Sequence, residues 1–457
     1  MAKKKQIELT IEEKLQNALV PKEEQPYKIP SNWCWSYWKY CGKFIAGNGF
    51  KNIYQGFTQY DIPYYKVGSL KFCDEGNYLI DETNTINEEI RTKLKAVKIP
   101  VNSIIFAKIG EAIKLNRRCL NKIECCIDNN LMAFISEKYF YKYIFYWTKS
   151  LNFYELTNAT TVPALRKTDL ENIPIPLPPL NEQQRIVNRI ESLFAKLDRA
   201  KELIENTLAQ FEQNKMAILH KAFTGELTAK WRKENNIDLS SWKEKTIDEL
   251  CTSLKYGTSK KSKPEGSVVV LRMGNLQNGE IDWSNLMYTD DKEDIEKYLL
   301  KKGDVLFNRT NGSADLIGKT SIYRGEYPAI YAGYLIKLDY GKDIIGEYLN
   351  YIMNSNKARA YCNKIKSSGA SQFNINAKKI GAFKIPVPTI EEQQEIVNIL
   401  DKLLAKYNKI KNLEQQLGKI ELLKKAILAK AFRGELGTNN PDEESAENLL
   451  KEILAEK

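Results

Sequence analysis

The sequence predicts an α+β protein of two similar halves, each a globular mixed α/β domain followed by a long helix. The main support is a motif, Ile175-Pro-Leu-Pro-Pro-Leu-Asn-Glu-Gln-Gln184, that returns as Ile385-Pro-Val-Pro-Thr-Ile-Glu-Glu-Gln-Gln394. A second motif, Lys221-Ala-Phe-Thr-Gly-Glu-Leu227, returns as Lys430-Ala-Phe-Arg-Gly-Glu-Leu436. The first pair is 210 residues apart (385 − 175) and the second 209 (430 − 221), so the second copy lacks one residue. Solenoid repeats run to only about 20–50 residues, so the repeated unit is a domain with its helix.

These motifs set the predicted boundaries. They give a charged lead-in (1–30), a first domain (31–172), a first long helix with its motifs (173–227), a linker (228–241), a second domain (242–384), a second long helix (385–436) and an acidic tail (437–457). In the lead-in, Thr10 and Glu13 predict a capping box for a short helix through Val20. The tail predicts a further helix over 446–454.

Prolines set the start of the first long helix. Pro176, Pro178 and Pro179 exclude a helix before Leu180, because proline lacks the N–H and clashes with the preceding turn. Asn181 is the predicted N-cap, since its side chain can accept a hydrogen bond from the first turn.

The second long helix has a different predicted start but the same predicted end. Thr389 and Glu392 predict a capping box at its start. Gly225 and Gly434 lie where the two helices are predicted to stop, because glycine readily adopts the left-handed conformation that follows a helix. A helix over 181–223 would be roughly 65 Å long at 1.5 Å per residue.

Both long helices carry a heptad pattern, which is typical of a coiled coil. The first seam consists of Ile186, Ile190, Leu193, Leu197, Ala200, Ile204, Thr207, Phe211, Asn214 and Ile218. The second consists of Ile396, Leu400, Leu403, Tyr407, Ile410, Leu413, Leu417, Ile420, Leu423 and Ile427. Its consecutive three-residue steps, through Tyr407, Ile410 and Leu413 and again through Leu417, Ile420 and Leu423, mark the missing residue as a stammer-like defect. Two unrelated amphipathic helices are the alternative, but such helices usually run about 8–20 residues.

The two domains are themselves a weak repeat. Lys66-Val-Gly-Ser-Leu70 matches Arg272-Met-Gly-Asn-Leu276, and Val101–Lys108 matches Lys302–Arg309 with a small shift. Predicted elements of the first domain are strands at Tyr64–Val67 and Ile104–Ala107 and a helix at Lys138–Leu151. Between the matches the domains diverge, so one scaffold with different loops would bind two related but distinct targets.

Composition limits the classes of function. Lys and Arg number 69 against 58 Asp and Glu, and the net charge of +11 suits an anionic partner such as DNA. Solubility alone explains that charge equally well. No apolar run approaches the roughly 18 residues of a membrane span. The N-terminus has no apolar core to serve as a secretion signal, so the expected location is cytoplasmic.

Cysteine and histidine usage argues against a metal centre. The eight cysteines form no C-x-x-C pair, and His220 is the one histidine in the sequence. A zinc site of the Cys₂His₂ type is therefore excluded, and reduced, mostly buried thiols are expected. A Ser-His-Asp triad could form only around His220, on a helix away from any pocket.

Two stretches resemble catalytic motifs without fitting their chemistry. Gly312–Thr320 resembles a phosphate-binding loop, but five residues separate its glycines where the loop needs four. Asp61-Ile-Pro-Tyr64 resembles the Asp/Asn-Pro-Pro-Tyr motif of amino-methyltransferases, yet no glycine-rich cofactor loop precedes it. The chain is therefore predicted to have no catalytic activity of its own.

The order of these motifs resembles a known family. Two variable domains, each followed by the Glu-Gln-Gln motif and a long helix ending in Lys-Ala-Phe-x-Gly-Glu-Leu, look like the specificity subunit of a type I restriction-modification enzyme. Lys301-Lys-Gly-Asp-Val-Leu-Phe307 adds to a resemblance that covers nearly the whole chain. In the first half, Ile99-Pro-Val-Asn-Ser-Ile-Ile105 departs from the Gly-Asp turn. The resemblance does not reach the sequence-reading loops, so it implies no DNA target.

The resemblance implies a non-catalytic DNA-binding subunit with two target recognition domains, each reading one half of a split site. The long helices would pair as an antiparallel coiled coil, relate the halves by a pseudo-twofold and fix their separation. Two methyltransferase subunits and the restriction subunits would assemble on the chain. S-adenosylmethionine, ATP and Mg would belong to those partners, and this chain would bind no cofactor. The two ends of the chain would lie close together.

Basic and amide side chains on turns between strands are the predicted DNA contacts, because such groups reach phosphates and base edges. They are Lys66, Lys108 and Arg166 in the first domain and Arg272, Arg309, Asn311, Gln372 and Asn374 in the second. The rival hypothesis is a coiled-coil structural or adaptor protein whose globular heads bind protein. That rival predicts no salt-dependent affinity for DNA.

Overall fold

The computed structural model describes residues 9–136, 141–157, 162–313, 316–368, 372–405 and 411–455. The chain divides into two compact units. The first unit comprises Met1–Glu202 and Gln416–Lys457, and the second comprises Leu203–Gln415. Each unit therefore holds one domain, the start of one long helix and the end of the other.

The observed helices largely match those predicted from the sequence. In the described residues they are α1 (Ile11–Ala18), α2 (Glu88–Leu94), α3 (Tyr141–Ser150), α4 (Lys167–Glu171), α5 (Leu180–Phe223), α6 (Ala229–Glu234), α7 (Ile247–Leu250), α8 (Lys292–Tyr298), α9 (Gly346–Met353), α10 (Asn356–Ile365), α11 (Ala377–Gly381), α12 (Ile390–Ala405), α13 (Lys411–Ala431) and α14 (Ala446–Ala455). The reciprocal capping box of Thr10 and Glu13 is present in α1. The helix predicted at Lys138–Leu151 corresponds to α3, and residues 138–140 lie outside the described ranges.

The first long helix, α5, begins at Leu180 as the prolines require, but the predicted cap at Asn181 is wrong. The Gln183 N–H donates to Pro179 O at 3.0 Å, so the helix already includes Asn181 in its first turn. Pro179 can occupy the position before a helix because the missing N–H is not needed there. In α12 the cap is confirmed, since Thr389 Oγ1 accepts from the Glu392 N–H at 3.3 Å.

Glycines end both long helices, as predicted. Gly225 has φ +82° and Gly434 has φ +75°, which is the left-handed conformation of a helix terminus. After Gly225, the Leu227 N–H returns to Lys221 O at 3.0 Å and so satisfies a carbonyl of the last turn.

The buried face of α5 follows the predicted seam except near its end. Ile186 and Ile190 are fully buried, while Asn214, also predicted in the seam, is exposed. Leu219 and Ala222 are buried near the end of the helix. The face shifts there because the helix packs on a domain core, which is wider than a single seam.

The second seam is confirmed only in part. Ile396, Leu400 and Ile420 are buried, but Leu423 is 48 % exposed, so its place in the seam is wrong. The stammer-like defect stays a prediction, because Tyr407 and Ile410, in the first run of short steps, lie outside the described residues.

The strands of the first unit form two small sheets and a pair. They are β1 (Cys34–Tyr37), β2 (Gly42–Ala46), β3 (Ile62–Tyr65), β4 (Thr85–Ile86), β5 (Ile104–Ala107), β6 (Arg118–Leu120), β7 (Cys126–Ile127), β8 (Leu131–Ser136) and β9 (Pro174–Leu177). One sheet is antiparallel with the order β2–β8–β5–β6, the other has the order β4–β3–β7, and β1 pairs with β9. The strand predicted at Ile104–Ala107 is confirmed, and the one predicted at Tyr64–Val67 lies at Ile62–Tyr65.

The second unit repeats this topology. Its strands are β10 (Lys243–Thr246), β11 (Cys251–Tyr256), β12 (Val268–Leu271), β13 (Leu276–Gln277), β14 (Glu280–Ile281), β15 (Tyr288–Thr289), β16 (Val305–Asn308), β17 (Thr310–Asn311), β18 (Thr320–Ile322), β19 (Ala329–Tyr331), β20 (Leu335–Tyr340), β21 (Ser367–Ser368), β22 (Phe373–Asn374) and β23 (Lys384–Val387). The orders β11–β20–β16–β18 and β15–β12–β19 and the pair β10–β23 match those of the first unit strand by strand. The weak sequence repeat therefore reflects a repeated scaffold.

Each domain is built on an aromatic or aliphatic core. In the first unit Trp38 is fully buried against Phe44, Phe134 and Trp147, with ring centroids 4.7–5.0 Å apart. Truncating such a side chain to alanine costs about 3–5 kcal/mol of stability. In the second unit a comparable core is formed around Phe307.

The two ends of the described chain meet in the first unit. α1 packs against α14, and Lys14 Nζ donates to Leu454 O at 3.4 Å. The Ala446 N–H donates to Asn32 O at 2.9 Å, just ahead of β1. The predicted closeness of the two ends is confirmed.

Candidate nucleic-acid interface

Two of the predicted residues of the first domain meet at one end of its four-stranded sheet. Lys108 directly follows β5, where its N–H donates to Asn130 O at 2.9 Å and its carbonyl accepts from the Leu165 N–H at 2.8 Å. Arg166 is the next residue, so the same backbone contact carries it to this end. Arg166 is exposed and immediately precedes α4.

Lys66 follows β3 and lies next to the turn that precedes β8, because the Asp128 N–H of that turn donates to Tyr65 O at 2.9 Å. Its ammonium donates to Gln55 Oε1 at 2.7 Å. Burial raises the pKa of the Asp128 carboxyl, and the nearby charge of Lys66 opposes that rise. Asp128 Oδ1 accepts from the Asn130 N–H at 2.9 Å, and Asn130 is the residue that pairs with Lys108. These contacts link the turns that carry Lys66, Lys108 and Arg166.

Lys108 is less engaged than Lys66, whose ammonium is bonded to Gln55. It is half-buried, and in the part of the chain that the structure describes its ammonium has neither a hydrogen-bond nor an ion-pair partner. Its charge is thus available to an external anion such as a phosphate.

Arg309 occupies the position in the second domain that Lys108 occupies in the first. It follows β16, its N–H donates to Tyr334 O at 3.1 Å, and its carbonyl accepts from the Ile375 N–H at 2.9 Å. These contacts repeat those of Lys108 with Asn130 and Leu165. The match between Lys108 and Arg309 that the sequence predicts is confirmed as a match of position.

The surroundings of Arg309 differ from those of Lys108. Its Nε donates to Ile375 O at 3.3 Å and Nη1 donates to Gly333 O at 3.4 Å. The guanidinium lies 5.0 Å from the ring centroid of Tyr256. Because a guanidinium has five N–H donors, Arg309 can hold this turn and still offer donors to a ligand.

Arg272 is a second arginine near the turn that contains Tyr334, and its guanidinium bonds to other residues of the same domain. Its Nη2 donates to Asn285 O at 3.2 Å and Oδ1 at 3.1 Å, and its Nε is buried without a partner among the described residues. It follows β12, whose Leu271 O accepts from the Ala332 N–H, beside the turn that Arg309 holds.

The predicted amides of the second domain lie on adjacent strands. Asn311 is in β17 and Asn374 in β22, which pair in antiparallel register. Asn374 Oδ1 accepts from Thr310 Oγ1 at 2.7 Å, and Asn311 Oδ1 accepts from the Ser313 N–H at 3.0 Å. Gln372 is exposed and directly precedes β22. Among the described residues, the side-chain amide nitrogens of Asn311 and Asn374 have no hydrogen-bond partner and remain as donors.

Sequence reasoning missed two tyrosines at this end. Tyr256 is 41 % exposed under the Arg309 guanidinium, and Tyr334 is 47 % exposed in the turn that pairs with Arg309. The signal available in the sequence was a tyrosine beside a glycine at each site, Gly257 and Gly333, but that pattern is too common to single them out.

A buried carboxylate from each Glu-Gln-Gln motif joins the domain to the long helix that follows it. Trp33 Nε1 donates to Glu182 Oε2 at 2.7 Å, and Trp242 Nε1 donates to Glu392 Oε2 at 2.8 Å. Both carboxylates are completely buried. The prediction that Glu392 completes a capping box is wrong in this respect, because its side chain serves the tryptophan instead. We call these sites the Glu182 junction and the Glu392 junction.

The Glu392 junction also captures the segment after α5. Thr228 Oγ1 and Arg232 Nη1 each donate to Glu392 Oε1 at 2.6 Å. Arg232 lies in α6, so the predicted linker over 228–241 contains a short helix that is tied to the junction. Breaking a buried ion pair of this kind costs about 3–5 kcal/mol, because it leaves an unpaired buried charge.

The Glu182 junction binds the segment after α13 through neutral hydrogen-bond donors and not through a charged side chain. Asn439 Nδ2 donates to Glu182 Oε2 at 2.9 Å, and Thr438 Oγ1 donates to Oε1 at 3.5 Å. In each unit, therefore, the start of one long helix is tied to the chain that follows the other.

Two tyrosines repeat this anchoring within each unit. Tyr143 OH donates to Pro176 O at 2.6 Å, and in the second unit Tyr348 OH donates to Pro386 O at 2.8 Å. A further pair joins each domain to its long helix: Tyr146 OH donates to Glu191 Oε1 at 3.4 Å and Tyr351 OH donates to Asp401 Oδ1 at 2.5 Å. The two domains are thus held on their helices by matched contacts.

The ends of the long helices contact one another inside the first unit. Lys424 Nζ lies 2.5 Å from Asp198 Oδ1 and 5.3 Å from the ring centroid of Phe194. In the second unit, Leu219 near the end of α5 and Ile396 near the start of α12 belong to one core.

The structure offers no support for the two motif-like stretches. Lys319 Nζ donates to Gln277 Oε1 at 2.9 Å, and Thr320 is buried in β18 rather than opening a helix. Residues 314–315 of the Gly312–Thr320 stretch lie outside the described ranges. Tyr64 is buried in β3 and stacks on Phe50 with ring centroids 3.8 Å apart.

The described residues contain neither a metal-binding cluster nor a helix that could span a membrane. No group of three or more His, Cys, Asp or Glu side chains there could hold a metal ion. Among the same residues no helix is both long and apolar enough to span a bilayer. His220 is an exposed residue on α5, as expected.

Comparison with known proteins identifies the family to which this scaffold belongs. The model of the type I restriction modification DNA specificity domain matches residues 52–210 and 240–421, one range in each half of the chain. The chain belongs to this family. Specificity subunits of type I systems are non-catalytic DNA-recognition subunits, so the prediction of a subunit without catalytic activity is confirmed.

Several specificity subunits resemble this one in sequence. It is 31 % identical over 318 residues to the EcoKI specificity subunit of Escherichia coli (strain K12), covering 66 % of this chain and 68 % of that one. It is also 31 % identical over 335 residues to the StySPI specificity subunit of Salmonella potsdam, covering 69 % and 71 %.

Solved structures show the same fold. A chain from a structural study of complex assembly and conformational transition of the type I R-M system has a TM-score of 0.65 at 19 % identity, covering 90 % of this chain and 100 % of that one. The HsdS subunit from Thermoanaerobacter tengcongensis has a TM-score of 0.50 at 19 % identity, covering 90 % and 99 %. At this identity the likeness concerns the fold alone.

Proposed function

We propose that each domain of this specificity subunit is a target recognition domain that reads one half of a bipartite DNA site. The carrying observation is the placement of Lys108 and Arg309 at the same position of two matched scaffolds. Both follow equivalent strands and make the same backbone contacts to neighbouring turns. The side chains around them differ, which is what two different half-sites require.

The chemistry of the candidate surfaces supports DNA as the ligand. Lys66, Lys108 and Arg166 form a cationic group in the first domain, and Arg309 with Asn311 and Asn374 presents amide and guanidinium donors in the second. Cations position a protein on phosphates, while amides and arginines can also read base edges in the major groove. The net charge of +11 agrees with an anionic partner.

We further propose that the long helices pair as an antiparallel coiled coil, relate the two halves by a pseudo-twofold and set the unread spacer between half-sites. The support comes from inside each unit, where the start of one helix packs with the end of the other. The contact of Asp198 with Lys424 and the two junctions all favour this pairing.

The proposed partners follow from membership of a type I system. Two methyltransferase subunits, and then the restriction subunits, would assemble on this chain in the cytoplasm. S-adenosylmethionine, ATP and Mg would be bound by those partners. The purified chain alone should therefore methylate no DNA when incubated with labelled S-adenosylmethionine, whereas the assembled enzyme should.

A domain exchange tests the proposal. Residues 31–172 would be replaced by the equivalent segment of a related specificity subunit, and the methylated sites of the assembled enzyme would be mapped. One half of the recognised site should change while the other half and the spacer persist. A change in both halves, or in neither, would contradict separate reading by the two domains.

Salt dependence separates the proposal from an adaptor role. Affinity of the assembled enzyme for its own site should fall steeply with salt, because phosphate contacts release counterions. Binding that is indifferent to salt would instead favour the coiled-coil adaptor with protein-binding heads.

A further inference from the structure

The loop that joins β2 to β3 in the first domain, residues 47–61, exposes an apolar side chain at its tip. Ile53 is 71 % exposed, more than any other large apolar side chain among the described residues, and it lies in a single 3₁₀ turn, Asn52–Tyr54. Single exposed isoleucines are common on protein surfaces, so it is the position of Ile53 that matters. We call residues 47–61 the Ile53 loop.

The Ile53 loop begins beside the backbone that holds Lys108. The Gly47 N–H donates to Leu131 O at 3.2 Å, and the Asn48 N–H donates to Ile127 O at 3.0 Å. These two acceptors flank the turn between β7 and β8, and a carbonyl of the same turn accepts from the Lys108 N–H. The loop therefore leaves the sheet at the end where the candidate DNA contacts of this domain lie.

The far side of the turn at Ile53 is bonded to Lys66. The Gln55 N–H donates to Asn52 O at 3.1 Å, which closes the 3₁₀ turn. The Gln55 side chain then donates through Nε2 to Phe50 O at 2.8 Å and accepts through Oε1 from the Lys66 ammonium at 2.7 Å. Ile53 is thus two residues from the side chain that binds a candidate phosphate contact.

Two cations and an aromatic base support the turn. Lys51 is exposed two residues before Ile53, and Lys66 is bonded to the loop just after it. Because cations attract phosphates, both would draw the loop towards the DNA backbone. Phe50 stacks on the buried ring of Tyr64 with centroids 3.8 Å apart, so the loop starts from a fixed point.

The second domain starts its loop in the same way. A Cβ at Gly47 would lie 1.9 Å from Asp128 O, and one at Gly257 would lie 2.1 Å from Tyr331 O, so both positions require glycine. The Thr258 N–H donates to Tyr331 O at 2.9 Å, as the residue after Gly47 does to its own neighbouring strand. The two loops therefore leave equivalent places on the repeated scaffold.

Beyond this shared start the two loops differ in length and chemistry. Residues 47–61 separate β2 from β3, and residues 257–267 separate β11 from β12, which gives 15 residues against 11. The second loop has lysines at 260, 261 and 263 and none of Val, Ile, Leu, Met, Phe, Tyr or Trp. Lys260 Nζ donates to Asp291 Oδ2 at 2.7 Å. At one place of the scaffold, the first domain thus offers an apolar tip and the second offers cations.

We propose that Ile53 contacts the 5-methyl group of a thymine in the half-site that the first domain reads. This assignment rests on the proposed function of that domain and names one base that it recognises. In the major groove the methyl group marks thymine, and apolar side chains recognise it by contact. The loop of the second domain, which has lysines instead, supplies no equivalent contact to its half-site.

Duplexes that contain 2′-deoxyuridine test this assignment, because deoxyuridine is thymidine without the 5-methyl group. The assembled enzyme is titrated onto a fluorescent duplex with its mapped site, and each thymine of the first half-site is replaced in turn. We expect binding about fourfold weaker at one position, the size expected for one buried methyl group. Unchanged affinity at every position, or a first half-site without thymine on either strand, would overturn the proposal.

A matched pair of isoleucine variants makes the result specific. Ile53→Ala should bind the thymine and deoxyuridine duplexes equally, and its slope of affinity against salt should stay unchanged because no charge is lost. Ile123→Ala is the control, since Ile123 is 51 % exposed and its carbonyl accepts from Asn121 at 2.8 Å. Asn121 pairs with Asn102 ahead of β5, at the end opposite Lys108, so this variant should keep the preference for thymine. A wild-type preference in Ile53→Ala would overturn the proposal.

The domain exchange separates this assignment from the proposed function. The half of the site that changes when residues 31–172 are exchanged defines the first half-site. If that half changes and deoxyuridine has no effect within it, only the assignment of Ile53 fails. If the exchange changes neither half, the proposed function itself fails.

Discussion

The Glu182 and Glu392 junctions use the same carboxylate for different chemistry. Each accepts a hydrogen bond from a tryptophan at the start of its domain, at 2.7 Å and 2.8 Å. At the second partner they diverge, since Glu392 forms a buried ion pair with Arg232 while Glu182 accepts from Asn439. The tryptophan contact is thus the part that the repeat preserves. The partner from the chain that follows the other long helix differs between the two junctions, and in both the buried carboxylate receives donors.

The largest expected loss of stability comes from removing the charged partner of Arg232. Glu392→Gln should destabilise the second unit by about 3–5 kcal/mol, because it leaves the Arg232 guanidinium buried and unpaired. Glu182→Gln should cost only about 1–2 kcal/mol, because it weakens hydrogen bonds without stranding a charge. Urea unfolding of the two variants measures the difference.

The matched design provides the control for that prediction. The double variant Glu392→Gln with Arg232→Met should recover part of the loss, since no unpaired charge remains. Equal destabilisation by the two glutamine substitutions would show that the ion pair adds nothing to the tryptophan contact.

The second comparison is between Lys108 and Arg309 as DNA contacts. Lys108→Ala should weaken DNA binding by the assembled enzyme and lower the slope of affinity against salt by about one, as expected for one lost phosphate contact. Arg309→Lys keeps the charge but loses the contacts with Gly333 and Tyr256, so it should weaken binding with little change in that slope. Fluorescence anisotropy across a salt series measures both quantities. Unchanged affinity and slope in both variants would show that Lys108 and Arg309 are ordinary surface residues with no part in DNA binding.

The pH dependence of stability offers a third contrast. Burial raises the pKa of Glu182 above its ordinary 4.5, against hydrogen bonds from Trp33 and Asn439. The folded chain then holds this proton more tightly than the unfolded chain, so the contribution to stability falls as pH rises from about 4.5 through the raised pKa. The stability of the wild type relative to Glu182→Gln should therefore decline over that range. Urea unfolding at several pH values checks it, and a difference that grows with pH would contradict the burial argument.

The smallest expected effect separates the two tyrosine anchors. Tyr351→Phe removes a hydrogen bond of 2.5 Å to Asp401 and should cost about 1 kcal/mol. Tyr146→Phe should cost less, because its bond to Glu191 is 3.4 Å long and Lys142 still holds that carboxylate at 2.8 Å. Thermal unfolding of the paired variants measures the order. A larger loss of stability in Tyr146→Phe than in Tyr351→Phe would mean that hydrogen-bond length does not determine how much each tyrosine contributes.

These contrasts show which parts of the structure can be predicted from the sequence. The start of α5 at Leu180 and its end before Gly225 follow from local rules, since prolines and glycines act on their own backbone. The equivalence of Lys108 and Arg309 could be predicted because both follow apolar strand runs in matched segments.

The wrong predictions concern contacts between distant parts of the chain. Glu392 fits a capping box locally, but Trp242 and Arg232, 150 and 160 residues away, take its side chain. Local rules also treat Arg232 as part of a solvated linker. At the candidate interface, the donors of Arg309 and Arg272 are partly used by carbonyls that no local pattern places beside them.

Changing the length of the long helices tests whether two separate reading domains are held apart by a paired-helix spacer. Seven residues would be inserted after Ala200 in α5 and seven after Leu422 in α13, keeping the heptad phase. The contact of Asp198 with Lys424 places these two sites opposite each other. Each insertion adds roughly 10 Å of helix, which corresponds to about three base pairs of B-DNA.

Methylation sites of the assembled enzyme would then be mapped on genomic DNA. We expect unchanged half-sites and a spacer longer by up to about three base pairs, or less if the helices are inclined to the DNA. A stable, active enzyme that still required the original spacer would contradict it.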